Sequence, residues 1–156
     1  MTSYEIGLFL HVLGALLFFG GALVAGVAFE AARRRSRPSE VVLLLGLTQV
    51  GALIVVVGAV LVLGAGLWLA SEVDQYGETW LLVSLGLFAA ALLLGALGGQ
   101  RPKRARRLAA TLADESDEMT PELRGLLDDA LSQVANYGSS LLVVLILVLM
   151  VWQPGR

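Results

Sequence analysis

From Ile6 to Ala28 the chain carries no formal charge, and within that run sits the single histidine of the sequence, His11. Roughly 20 apolar residues cross the hydrocarbon core of a bilayer, so the stretch Ile6 to Phe29 reads as a transmembrane helix. On a helix, Gly7, His11, Gly14, Phe18, Gly21 and Ala25 alternate steps of four and three and share one face. That face is mostly small. It predicts close approach of a second helix, with an imidazole in the middle of the contact. A cleaved signal peptide is the poorer reading, because the run is too long, Glu5 precedes it and its basic cluster follows it.

Three more apolar runs give the remaining architecture. The apolar fraction is 57 %, above the roughly 45–50 % of soluble domains, which places the chain among integral membrane proteins. We expect one transmembrane domain over residues 1–156, with spans near 6–29, 41–70, 80–99 and 136–152. The absence of cysteine excludes disulfides and thiolate metal sites.

The charges are segregated. Of the eleven Lys and Arg residues, ten lie in the first and third connections, residues 30–40 and 100–135: Arg33, Arg34, Arg35, Arg37, Arg101, Lys103, Arg104, Arg106, Arg107 and Arg124. The middle connection, residues 71–79, has none and is acidic through Glu72, Asp74 and Glu78. By the positive-inside rule the basic connections are cytoplasmic and both termini are outside. Tyr4, Trp68, Tyr76, Trp80 and Trp152 would then line the outer interface, where amphipathic rings settle. The basic residues orient the chain and attract anionic headgroups. They abut the bilayer, which argues against nucleic acid as a partner.

The third connection predicts its own structure. Ala105, Leu108, Ala109 and Leu112 recur at helical spacing, DESDE (Asp114 to Glu118) interrupts them, and Thr120–Pro121–Glu122 reads as a cap and first turn. A second stripe, Leu123, Leu126, Leu127, Ala130, Leu131 and Val134, would run on into the fourth span with a flex near Gly138, Ser139 and Ser140. The two helices would form a cytoplasmic hairpin between spans 3 and 4.

Intramembrane ionisable groups are candidate functional groups by default, and three readings of His11 stand open. It bridges helices as a neutral imidazole, with Ser84 at similar depth as the expected partner. It ligates haem b, with a second ligand from Met150 or from another copy of the chain. Or it belongs to a proton or substrate path. Copper has less to recommend it, because His, Met and Cys form no cluster, and no other metal site is expected. Gly51 and Gly58, at seven-residue spacing with Ala65, and the pair Gly95 and Gly99 read as packing faces. Thr48 and Gln49 read as the inner end of span 2. No catalytic residue stands out.

The segment LHVLGALLFFGGALVAG, Leu10 to Gly26, resembles the first helix of the bacterial membrane family catalogued as domain of unknown function 2269. His11, Gly14 with Ala15, Phe18 with Phe19, and Gly20 with Gly21 carry the resemblance. More distantly that helix is similar to those of copper-resistance-D-like and protoporphyrinogen-oxidase-like membrane proteins, which implies haem or metal handling at His11.

The expectation is therefore an all-α membrane protein, a four-helix transmembrane bundle with both termini outside, multi-pass in a bacterial inner membrane. Its leading role is a non-enzymatic structural or accessory subunit, a homo-oligomer or a partner of another membrane subunit. The alternatives are a haem- or porphyrin-handling protein using His11 and a small oligomeric transporter.

Overall fold

The computed structural model describes residues 2–72 and 77–154, all of whose regular elements are helices. Asp74 and Tyr76 of the acidic connection lie outside the described residues. Helix α1 (Ser3–Arg33) starts from a capping box. The Glu5 backbone N–H donates to the Thr2 hydroxyl at 3.3 Å, and the Thr2 N–H donates to the Glu5 carboxylate at 2.8 Å. Helix α2 (Pro38–Glu72) begins on a proline, whose fixed φ suits a first helical position and whose missing N–H is not needed there. Helices α3 (Thr79–Gly98) and α4 (Gln100–Glu115) are nearly continuous. Gly99 between them keeps a right-handed backbone and donates its N–H to the Gly95 carbonyl at 3.0 Å. Helices α5 (Pro121–Leu127) and α6 (Ala130–Trp152) complete the chain.

Four helical stretches are long and apolar enough to cross a membrane: α1, α2, α3 with α4, and α5 with α6. At ~1.5 Å per residue, α1 is about 46 Å long and α2 about 52 Å, against a hydrocarbon core of ~30 Å. Much of the excess gathers at the arginine-rich end. There Phe29, Ala32, Val41, Leu45, Ala105, Ala109, Leu123 and Leu127 enclose a core of their own. Residues 100–135 therefore prolong the bundle, with α4 leaning on the start of α2 and α5 filling the gap beside α1 and α4.

Two expectations about this region need correction. The helix that starts at Pro121 does not run into the fourth span. It stops at Asp128, and Asp129 caps a new helix, its carboxylate accepting from the Ser132 N–H at 2.9 Å and the Ser132 hydroxyl at 3.0 Å. Gly138 to Ser140 are helical throughout, within α6. The restart also rotates the stripe, so that Ser132 and Ala135 turn inward while Leu131 and Val134 are 65 % and 69 % exposed.

The bundle is two helix pairs. Helices α1 and α2 pack closely along their length, and α3 packs on α6. Between the pairs, contact is made by side chains around Phe18, Ala59, Phe88, Ala91 and Val143, with the Phe18 and Phe88 rings 5.2 Å apart.

Candidate functional site: the cavity beside His11

The α1–α2 seam places the histidine. A Cβ on Gly58 would lie 2.4 Å from the Phe18 nitrogen, one on Gly14 would lie 2.7 Å from the Val62 nitrogen, and one on Gly21 would lie 2.7 Å from the Gly51 carbonyl. A Cβ on Gly51 would lie 2.7 Å from the Ala25 nitrogen, and Gly7 lies under the Trp68 ring. With side chains absent at these positions, the two backbones touch. His11, on the same helix, is then brought against α2 at Gly66, where a Cβ would stand 2.9 Å from the imidazole.

The imidazole Nδ1 is 3.1 Å from the Val62 carbonyl oxygen. A carbonyl only accepts, so Nδ1 carries the hydrogen, and in the neutral ring Nε2 keeps its lone pair. The expected bond to Ser84 is not formed. Ser84 is buried, but its hydroxyl donates to the Trp80 carbonyl one turn back at 2.7 Å, a local bond that a serine in a helix readily makes. His11 and Ser84 instead face one cavity of about 180 Å³, which opens between the two helix pairs.

Trp80, Phe88, Met150 and Gly66 also line this cavity, as do Tyr4 from the first turn of α1 and Gln153 from the end of α6. His11 lies about 10 Å along α1 from Tyr4, at ~1.5 Å per residue. No Asp, Glu, Lys or Arg is among the described residues that line it. Trp80 is 6 % exposed, and its indole N–H is buried with no acceptor. A buried donor left unmade costs roughly 1–3 kcal/mol.

The haem reading can be tested on these dimensions. His11 and Met150 do face the same space, as that reading requires. The space is about 180 Å³, whereas pockets for drug-sized ligands run roughly 300–1,000 Å³. A porphyrin does not fit between these helices as they stand.

The glycines named from sequence divide. Gly7, Gly14, Gly21, Gly51 and Gly58 are buried in the α1–α2 seam. Gly95 faces open space, and Gly99 meets only carbonyls of its own helix, so this pair packs no helices together within the chain. Gly66 and the Trp80 indole were not singled out. The only sequence signal for Gly66 was its place two turns along α2 from Ala59 and Gly58 and close to Trp68, too common a pattern to choose it.

The basic residues do several jobs. Arg33 pairs with Glu30 at 2.8 Å and Asp128 at 3.2 Å, and Arg34 pairs with Glu30 at 3.0 Å. The Arg34 hydrogen bond is the main reason the Glu30 carboxyl lies below its usual value; desolvation opposes it, and the Arg33 charge and hydrogen bond add to the lowering. Arg35 lies 3.8 Å from Glu40. Arg101 binds Asp129 at 2.7 Å. The Ser132 backbone N–H is the main cause of a lowered Asp129 carboxyl, helped by the Ser132 hydroxyl and Arg101. Arg106 donates to Gln49 at 2.6 Å. Arg37, Lys103, Arg104 and Arg107 are exposed.

Sequence reasoning missed two of the joints at this end. The Arg124 guanidinium donates to the Arg33 carbonyl at 2.7 Å and the Arg35 carbonyl at 3.1 Å, closing the end of α1. Asp117, at a left-handed φ of 52°, accepts from the Ser39 N–H at 2.8 Å and the Ser39 hydroxyl at 2.9 Å, capping α2 from another part of the chain. Contacts 78 residues apart leave no periodic trace in sequence.

Helices of this length and apolarity, four in one chain, define a multi-pass integral membrane protein. The family model described as predicted integral membrane protein, domain of unknown function 2269, matches residues 6–154. The chain belongs to that family. No curated protein and no solved structure matches it.

Proposed function

We propose that the chain is a non-enzymatic accessory subunit of a bacterial inner membrane, with both termini outside and helices α4 and α5 on the cytoplasmic side. The observation that carries this reading is the state of His11. Its ring is fixed to the Val62 carbonyl at 3.1 Å beside a cavity too small for a porphyrin, so its role is to join helices rather than to carry haem. The likeness of helix α1 to copper-resistance-D-like proteins stays a likeness of that helix alone. A transporter gains no support from α1, α2, α3 and α6, which run unbroken through their apolar stretches.

The orientation rests on charge and aromatic placement. Arg37, Lys103, Arg104 and Arg107 project from one end, where anionic headgroups on the cytoplasmic leaflet attract each at ~1 kcal/mol. Tyr4, Trp68, Trp80 and Trp152 gather at the other. Self-association, or association with another subunit, would use the outward faces of α3 and α6, where Gly95 lies open.

The protein purified after expression with ample haem should show no Soret band. A stoichiometric band that disappears in His11→Asn and His11→Gln, neither of which can replace an imidazole ligand, would overturn the reading. For orientation, a cysteine at Ser36 should resist impermeant thiol reagents in intact cells while one at Ser71 reacts. The reverse pattern would invert the topology.

A further inference from the structure

Three arginines are half-buried among the described residues: Arg33, Arg106 and Arg124. Arg33 has the carboxylates of Glu30 and Asp128, and Arg124 has two backbone carbonyls. Arg106 has neither. Its one hydrogen bond runs from Nη1 to the Gln49 side-chain oxygen at 2.6 Å, and no carboxylate of the described residues pairs with it. A charge partly withdrawn from water calls for a counter-charge, and the chain does not supply one.

Gly46 fixes where this guanidinium lies. A Cβ there would stand 3.9 Å from both Nε and Nη2 of Arg106, so the group rests over that residue of α2. Nε is closed off against the helix, buried and without an acceptor. Nη2 keeps open surface and has no partner in the fold. An anion is therefore met at Nη2, beside the bond to Gln49.

Depth in the membrane names the anion. From Gln49 to Trp68 is ~28 Å of helix at ~1.5 Å per residue, close to the ~30 Å of a hydrocarbon core. With Trp68 at one interface, Gln49 and Arg106 reach the headgroups of the other. Gly46, Val50, Leu53 and Val57 alternate steps of four and three and so share one face of α2. Val50, Leu53 and Val57 are exposed, and they make an apolar ridge that runs from the guanidinium into the bilayer. Lys103, one turn before Arg106 on α4 and exposed, adds a second cation on that side. We propose that the α2–α4 contact seats one anionic phospholipid, its phosphate at Arg106 Nη2 and an acyl chain along Val50, Leu53 and Val57. Soluble phosphates share the headgroup chemistry, and the ridge selects the lipid. This seat is distinct from the diffuse attraction that exposed cations exert on headgroups, and it holds for either orientation of the chain in the membrane.

The test uses the full chain in maltoside micelles, with lipid adducts counted by native mass spectrometry. Titration with didecanoyl-phosphatidylglycerol should give a first adduct that saturates before further ones appear. Arg106→Gln should weaken that adduct at least ~10-fold, the worth of a hydrogen bond to a charged group. Arg104→Gln removes the same charge from the opposite side of α4 and should weaken it less than ~3-fold, as expected of an exposed, screened charge. Arg106→Lys keeps the charge, loses the planar fork and should fall between the two. Phosphatidylcholine of the same chain length should bind more weakly than phosphatidylglycerol, because its headgroup carries a cation. A diazirine in the acyl chain of the first adduct should crosslink to residues 50–57. If Arg106→Gln fails to fold by circular dichroism, Arg106→Lys and the crosslinks decide the matter. Glycerol phosphate at the lipid's concentration should not displace it, and displacement would reveal a soluble-phosphate site and overturn the proposal. Equal losses in Arg106→Gln and Arg104→Gln would overturn it too, by reducing the seat to diffuse attraction. So would equal binding of phosphatidylcholine, the lack of a saturating first adduct, or crosslinks confined to other helices.

Discussion

Helices α1 and α2 meet backbone to backbone, whereas the two helix pairs meet through side chains, with the Phe18 and Phe88 rings at the centre of the contact. In the first contact, side-chain-free positions on both helices coincide, and a Cβ at Gly58 would reach within 2.4 Å of the opposing backbone. In the second, Phe18, Phe88 and Val143 hold the pairs apart, and toward the tryptophan end the separation opens into the His11 cavity. Lipid tails are as apolar as leucine, so close packing is the main attraction left to helices in a membrane. Small residues in register seal a seam. Large ones in register set a gap.

Glycine content alone does not produce the difference. Gly20, Gly64, Gly86 and Gly95 are as bare as the seam glycines, yet nothing lies within 4 Å of where their Cβ atoms would be. The sharpest test exploits this contrast. Gly58→Ala should destabilise the protein by about 1–3 kcal/mol in denaturant titrations in micelles, the usual penalty of overpacking. Gly95→Ala should be neutral or stabilise by up to ~1 kcal/mol, since alanine is the better helix former. Equal effects at the two positions would erase the distinction between sealed and open seams.

A smaller effect is expected at the arginine-rich end, which is neither a glycine seam nor a gap. Asp117→Ala removes the carboxylate that caps α2 at Ser39 and should cost ~1 kcal/mol. Amide exchange should quicken around Ser39 to Val42, and an unchanged rate there would show that the cap contributes nothing.

At the gap, His11→Ala should cost only ~0.6 kcal/mol, the average of an interhelical hydrogen bond in a membrane. A loss as large as that of Gly58→Ala would mean that the gap, rather than the seam, holds the bundle together.

The smallest effect is local and depends on pH. The Asp129 carboxyl lies below its ordinary value of 3.8, mainly through the Ser132 N–H. Its contribution is complete above that value and fades as the pH falls below it through the folded-state value. Amide protection relative to the intrinsic exchange rate should therefore fall at the first turn of α6 below about pH 4 in the parent and stay constant in Asp129→Asn. Fraying that begins near neutral pH would point to a different group.

Much of this architecture was legible in sequence because membrane insertion leaves strong periodic and compositional signals. The four apolar stretches, the restart at Pro38 and the cap at Thr120 follow from hydropathy and local cap chemistry, and α2 and α5 begin there. The face bearing Gly7, Gly14 and Gly21 also follows from spacing, and those glycines are buried against α2. The break at Asp128 and Asp129 was less accessible. Asp129 followed by Ser132 is a cap in sequence terms, but it lies inside an apolar stripe that also fits an unbroken helix, and the Arg101 ion pair at 2.7 Å joins the two sides of that choice. The partner of His11 was not accessible at all, because depth in the membrane selects a layer of residues and not a neighbour within it.

By itself, the sequence determined that this chain is helical, crosses a membrane several times and has a small-residue face on its first helix. Each of these depends on residues within a few turns of one another, where spacing along a helix fixes direction. Tertiary structure alone decided which seams close and which stay open. It placed Gly66 opposite His11, left the Trp80 indole without an acceptor, and brought Asp117 to Ser39 and Arg124 to the end of α1. These outcomes depend on the rotation and offset of one helix against another, set by how all the side chains pack at once.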